Sequence, residues 1–284
     1  MLRSFSTFYE RPIIYGIRTM QSFSFTVVIP ARMASSRFPG KALAQIHGKP
    51  MIQHVYEKAV KSGAKSVIIA TDHIEIKEAA EKFGAQVCMT ALHHPSGTDR
   101  ISEVAEQFAF ADEDILVNVQ GDEPGMPPEN IHQVALNLYL QEKADMATLC
   151  WPIVSGSELF SPNQVKVVTD INHYALYFSR APIPWSREQF PSMLESASVL
   201  GKAPAAPSLS TGWFRHLGIY AYSVGFIKQF VSLPVAELEK TECLEQLRAL
   251  YQGYKIHVAI AQALPPIGVD TPEDLEKVRA YFLS

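Results

Sequence analysis

FTVVIPARMASSRFPGK, residues 25–41, decides how the chain is read. The apolar run Phe25–Ile29 stops at Pro30, and a loop of small residues carrying Arg32, Arg37 and Lys41 follows at once. A short continuous apolar run of this kind reads as a strand buried on both faces. The loop then lies at the carboxyl end of a sheet, where open α/β sheets bind ligands. Three cations among residues that let a ligand approach the backbone suit a polyphosphate. A Walker A loop would need Gly at 35 and Ser or Thr at 42, where the chain has Ser35 and Ala42. GxGxxG is absent too, which weakens a dinucleotide reading.

Outward from this stretch, strands and helices alternate. The pattern predicts a helix from Pro50 to Lys61, a strand Ser66–Ala70, a helix Glu75–Phe83 stopped by Gly84, and a short strand Gln86–Met89. Thr98 is the expected N-cap of a helix reaching Phe108, with Asp99 in its first turn. A strand Asp114–Val119 and a helix from Pro127 to Gln141 complete a βαβα rhythm, which implies a mainly parallel sheet covered on both faces. The second half is less regular. It reads as a strand Asp145–Pro152, a hairpin of Val165–Thr169 and Tyr174–Phe178, a strand His216–Tyr222, a helix Glu242–Tyr251 and a strand Ile256–Ile260. Thr271 as N-cap and Pro272 in the first turn open the last helix. Residues 191–212, rich in Ser, Ala, Gly and Pro, are expected to form a surface loop. No repeat or linker divides the chain, so one domain is expected over 23–284. Residues 1–22 read as an upstream extension outside the fold, with Met20 a candidate start.

Composition limits the partners. Lys plus Arg is 25 against 29 Asp plus Glu, giving a net charge of −4, so nucleic acid and anionic membranes exert no overall pull. Any phosphate chemistry must come from a local basic cluster. Hydrophobic residues are 47% and charged residues 19%, which is globular composition. No apolar run reaches the roughly 18 residues of a membrane span. Cys88, Cys150 and Cys243 are scattered and odd in number, which fits a reducing, cytoplasmic setting.

Two acidic motifs complement the basic loop. Asp122, in QGDEP (120–124), follows a buried strand and projects to the same sheet edge; a carboxylate beside a polyphosphate implies Mg²⁺. The same residues also make an ordinary turn. Asp270, before the last helix, offers either a second ligand or a complement to the helix dipole. Thr71, Asp72, Ser96 and Arg100 stand where they can hydrogen-bond a nucleotide. Arg180 and His216 are the best candidates in the second half for a carboxylate-bearing substrate, ahead of Lys166. His93, His94 and Cys88 do not form a metal motif, and HExxH and GxSxG are absent.

Taken in order, IPARMASSRFPGK, ATDH, SGTDR, VNVQGDEP, NQVKVV, YFSRAPIPW, FRHLGIYAY, LEQLR and GVDTPEDLE resemble the 3-deoxy-manno-octulosonate (Kdo) cytidylyltransferase family over nearly all of residues 25–279. The resemblance implies a three-layer α/β/α Rossmann-like nucleotidyltransferase fold with a mixed, mainly parallel sheet. It also implies a homodimer formed through a hairpin region near 163–222. The implied reaction joins CTP and Kdo into CMP-Kdo and pyrophosphate with Mg²⁺, activating Kdo for lipopolysaccharide synthesis. Arg32, Lys41, Asp122 and Asp270 would be catalytic, and Asp122 and Asp270 would be the metal ligands. CTP would contact Ala31, Arg32, Ser36, Arg37, Lys41, Thr71, Asp72, Ser96, Arg100 and Gln120. The sugar acid would meet Gln120, Arg180, His216, Tyr220, Glu245 and Gln246. The chain departs from the family pattern in its first 22 residues, in the long 191–212 loop, in Ala42 where Pro is common, and in Asp99 where Glu is also familiar.

Overall fold

The computed structural model describes residues 23–35, 37–190 and 212–283. The expected extension 1–22, Ser36 and nearly all of the loop 191–212 lie outside those residues. The first half runs β1 (Phe25–Ala31), a 3-10 turn (Lys41–Leu43), a small hairpin of β2 (Gln45–Ile46) and β3 (Lys49–Pro50), and α1 (Met51–Lys61). It continues through β4 (Ser66–Thr71), α2 (Ile74–Lys82), β5 (Gln86–Met89), α3 (Gly97–Gln107), β6 (Ile115–Asn118) and α4 (Pro128–Leu140). The second half contains β7 (Met146–Pro152), α5 (Gly156–Leu159), β8 (Lys166–Thr169), β9 (Ala175–Ser179) and β10 (Phe214–Ser223). It ends with α6 (Val224–Phe230), α7 (Glu237–Glu242), α8 (Gln246–Tyr251), β11 (Ile256–Ile260) and α9 (Pro272–Tyr281).

The apolar runs pair as buried strands should. β1 lies parallel between β4 and β6, and β5 adds parallel to β4. β10 enters in reverse between β6 and β7, and β11 runs parallel to β7 at the far edge. The order is thus β11-β7-β10-β6-β1-β4-β5, a mixed and mostly parallel sheet, with the β8–β9 hairpin joined to it through β10. Alternation along β1 builds the three layers. Val27 and Ile29 pack with Val55, Ile76 and Val134 of α1, α2 and α4, whereas Val28 faces Ile101 and Val104 of α3. All these side chains are fully buried. In register, Ala31 lies beside Thr71 and Val28 beside Asn118, so the loops after β1, β4 and β6 open on one edge.

Three local expectations are corrected. Ser96, not Thr98, caps α3: its Oγ accepts from the amides of Thr98 and Asp99, and Thr98 is buried inside the first turn. The helix expected over Glu242–Tyr251 is broken at Cys243, whose left-handed backbone (φ 51°) separates α7 from α8. The strand expected at His216–Tyr222 extends to Phe214–Ser223, and α6 follows it directly with no loop.

Thr271 does cap α9: its Oγ accepts from the Asp274 amide at 3.3 Å and donates to the Asp274 carboxylate at 3.0 Å. Thr271→Ala is expected to cost about 1 kcal/mol and to lower the thermal midpoint by roughly 2–4 °C. Calorimetry on the purified protein checks this.

Candidate active site

The loops after β1 and β6, the start of α3 and the segment before α9 enclose a cleft of about 260 Å³ at the carboxyl edge of the sheet. Ala31, Arg32, Arg37 and Lys41 line it from the basic loop, Gln120 and Asp122 from the β6 loop, and Asp270 from the segment before α9. Gly121 permits this crowding, since a Cβ there would stand 2.8 Å from the Pro30 carbonyl oxygen.

Lys41 is the electrostatic hub. Its Nζ donates to Asp122 Oδ2 at 2.5 Å, to the Val269 carbonyl at 3.1 Å and to Asp270 Oδ1 at 3.2 Å. Arg37 pairs with the other oxygen of Asp270 at 3.0 Å, in a more exposed position. Two carboxylates from distant parts of the chain therefore converge on one point of positive charge. Two hard oxygen donors aimed at one locus beside a basic loop fit a magnesium ion, which takes one or two protein carboxylates and completes its shell with phosphates and water. Behind them, burial and the adjacent Asp122 charge push the Glu123 carboxyl up to about 8.

Ser96 and Arg100 line the same cleft from α3. Arg100 is almost wholly buried and arrives already paired, donating to Asp72 at 2.6 Å and to the Thr90 hydroxyl. Asp72 thus holds the Arg100 guanidinium in place. Thr71 is fully buried at the end of β4, where its hydroxyl accepts from the His73 amide. On the other side of the first turn of α3 lies a smaller cavity of about 40 Å³, lined by Thr98, Tyr220, Glu245 and Gln246 among others. Thr98 Oγ1 donates to Glu245 Oε2 at 2.8 Å and joins the two α-helical walls of this cavity.

Arg180 and His216 line neither cavity. The Arg180 guanidinium donates to the carbonyls of Glu242, Pro162 and Cys243. His216 Nε2 lies 2.9 Å from Thr148 Oγ1, and that hydroxyl also reaches the carbonyls of Leu217 and Ile219. The rings of Phe178 and Tyr220 enclose His216, and burial pushes its imidazole down to about 3, so it is neutral at ordinary pH. Lys166 is fully buried as well, and its ammonium donates to the carbonyls of Ser161, Gln164 and Arg180.

Among the titratable residues that line the cleft, one escaped the sequence reading. His94 faces the cleft, and its Nε2 is tied to Glu103, which also accepts from the Ala91 amide. Its only local signal was its position two residues before Ser96.

An α/β sheet whose carboxyl edge carries a basic loop and paired acids suits a nucleotide's phosphates, and similarity to known proteins places the chain among nucleotidyltransferases. A family model described as Cytidylyltransferase matches residues 26–256. The 3-deoxy-manno-octulosonate cytidylyltransferase of Pasteurella multocida (strain Pm70) is 55% identical over 259 residues, covering 91% of this chain and 98% of its own. Its counterpart in Yersinia enterocolitica (serotype O:8) is 53% identical over 261 residues, covering 92% and 99%. A structure of CMP:2-keto-3-deoxy-manno-octonic acid synthetase complexed with CTP superposes with a TM-score of 0.80 at 39% identity, covering 92% of this chain and 99% of that one. A Leptospira borgpetersenii cytidylyltransferase, at 17% identity and a TM-score of 0.57, shares the fold. The chain belongs to the cytidylyltransferase family, and within it to the 3-deoxy-manno-octulosonate cytidylyltransferases.

Two desolvated imidazoles give the molecule an acid limit. Burial lowers His216 to about 3 and His257, 3% exposed, to about 4, both from 6.5. The unfolded chain takes up these protons first, so the stability they confer is complete above pH 6.5 and is lost as pH falls towards 4 and 3. Each group contributes a slope of at most about 1.4 kcal/mol per pH unit. Urea unfolding from pH 7 to 4 is expected to show this decline, and His257→Asn to make it shallower.

Proposed function

We propose that this protein transfers CMP from CTP to the anomeric hydroxyl of Kdo, releasing pyrophosphate and forming CMP-Kdo, the activated sugar for lipopolysaccharide assembly. The observation that carries this reading is the convergence of Asp122 and Asp270 on the Lys41 ammonium inside a basic cleft, in a chain 55% identical to a named Kdo cytidylyltransferase. The hydroxyl oxygen forms a bond to the α-phosphorus while the bond from that phosphorus to the β-phosphate oxygen breaks. Both substrates are anions, so the work of the protein is to screen and align them. Arg32, Arg37 and Lys41 hold the triphosphate from the loop after β1. Ala31, Ser36, Thr71, Asp72, Ser96, Arg100 and Gln120 surround the nucleotide, with Asp72 fixing Arg100. Asp122 and Asp270 would hold Mg²⁺, which would supply neutralising charge to the two anionic substrates.

Gln120, Arg180, His216, Tyr220, Glu245 and Gln246 form the sugar side in this reading. Tyr220, Glu245 and Gln246 share the smaller cavity, which supports their grouping. The exposed apolar side chains of Ile171 and Leu176 on the β8–β9 hairpin support a homodimer formed there. The unpaired thiols Cys88, Cys150 and Cys243 support a reducing cytoplasm.

Pyrophosphate release from CTP is expected with Kdo and Mg²⁺ together. Little is expected when chelator removes the metal or when sialic acid replaces Kdo. Asp122→Asn should lower turnover by at least roughly 10²-fold with its circular dichroism unchanged. Near-normal turnover would reject its role as ligand.

A further inference from the structure

Glycine spacing in the segments that carry the two acids has a role the reaction alone does not assign. Residues 122–125 and 266–269 run side by side in opposite directions. The Val269 amide donates to the Asp122 carbonyl at 2.9 Å. A Cβ on Gly268 would stand 2.7 Å from Glu123 Oε1, so Gly268 lies against Glu123. A Cβ on Gly125 would stand 2.0 Å from Pro266 Cγ and 2.8 Å from its Cδ, so Gly125 lies flat against that ring. The three contacts keep one register: each step forward in the first segment is matched by a step back in the second. Asp122 and Asp270 stand together at one end of this zipper, and the Gly125–Pro266 contact closes the other.

We propose that Gly125 and Gly268 are positioning residues, and that the closeness their missing side chains allow sets the separation of the Asp122 and Asp270 carboxylates. The proposal rests on the reading of those two acids as ligands of one divalent ion. Space is the constraint at both glycines. Neither has the positive φ that would demand glycine on backbone grounds, and both would accept alanine if the facing segment were further away. Of the two contacts, Gly125 is the less forgiving. Pro266 presents a rigid ring, so an added methyl group must drive the segments apart, whereas the end of the Glu123 side chain can swing away from Gly268. An error at the closed end of the zipper then moves Asp270 relative to Asp122 without touching either.

The test measures metal binding directly. Mn²⁺ replaces Mg²⁺ and is titrated by electron paramagnetic resonance into protein saturated with CTP. Gly125→Ala is expected to weaken Mn²⁺ binding by about tenfold or more, in the range seen when outer partners of metal ligands are lost. The Mg²⁺ concentration for half-maximal pyrophosphate release should rise in parallel. Combining Gly125→Ala with Pro266→Ala, which deletes the obstructing Cγ and Cδ and leaves Cβ at an ordinary 3.5 Å, should restore Mn²⁺ affinity to that of Pro266→Ala alone. Gly268→Ala should give a smaller loss, relieved by Glu123→Ala, and it carries the test if Gly125→Ala fails to fold. A fall in thermal midpoint with Mn²⁺ affinity unchanged, or a loss that the paired substitutions do not relieve, overturns the proposal. Mn²⁺ affinity that falls with Asp122→Asn yet ignores both glycines overturns the positioning role alone. Affinity indifferent to Asp122→Asn overturns the ligand reading beneath it.

Discussion

One ammonium group ties the working edge of this molecule together. Lys41 reaches Asp122, Asp270 and the Val269 carbonyl at once, joining the loop after the first strand to the loop after the sixth and to the approach to the last helix. Its side chain is only 16% exposed, so these charge-assisted bonds operate where water screens them poorly. Two carboxylates held close would repel each other, and the cation between them makes their proximity stable. The same side chain thus keeps the acids together and contributes positive charge to the cleft.

The sheet explains why these groups meet. Parallel strands β1, β4 and β6 present three loops on one edge, and the basic loop, Thr71–Asp72 and QGDEP are those loops. The reversed strand β10 then joins the second half of the chain to the first. It pairs with β7 along its length, with β8 at its start and with β6 at its end, bringing Tyr220 beside the first turn of α3. That turn is a shared wall: Ser96 lies on the larger cavity, and Thr98 lies on the smaller with its hydroxyl anchored to Glu245. Two cavities separated by one helical turn suit the proposed reaction, which must hold two anions within bonding distance.

The buried strands and the cleft were legible because continuous apolar runs and the loops that follow them are local patterns. Asp122 and Asp270 were weaker signals. Each alone reads as a turn or helix-end acid, and only the order of the motifs joined them. What stayed hidden depends on the fold. Ser96 and Thr98 are both good caps, and the burial of Thr98 against Glu245 decides between them. Cys243 gives no hint of the left-handed turn that breaks the expected helix, because non-glycine residues rarely adopt it. α6 begins directly after Ser223, the last residue of β10 and the cap of the helix, so no separate loop marked it in the sequence. The Glu242 and Cys243 carbonyls that hold Arg180 come from a segment remote in sequence, and composition cannot reveal them.

Thr148 carries a consequence for its neighbour. Its hydroxyl has a single hydrogen, and the Leu217 and Ile219 carbonyls beside it can only accept. That hydrogen is therefore committed to the backbone, and the contact with His216 must use a hydrogen from the ring. The neutral imidazole then carries its proton on Nε2, and one hydroxyl pins the ring to two carbonyls at the register shift of β10.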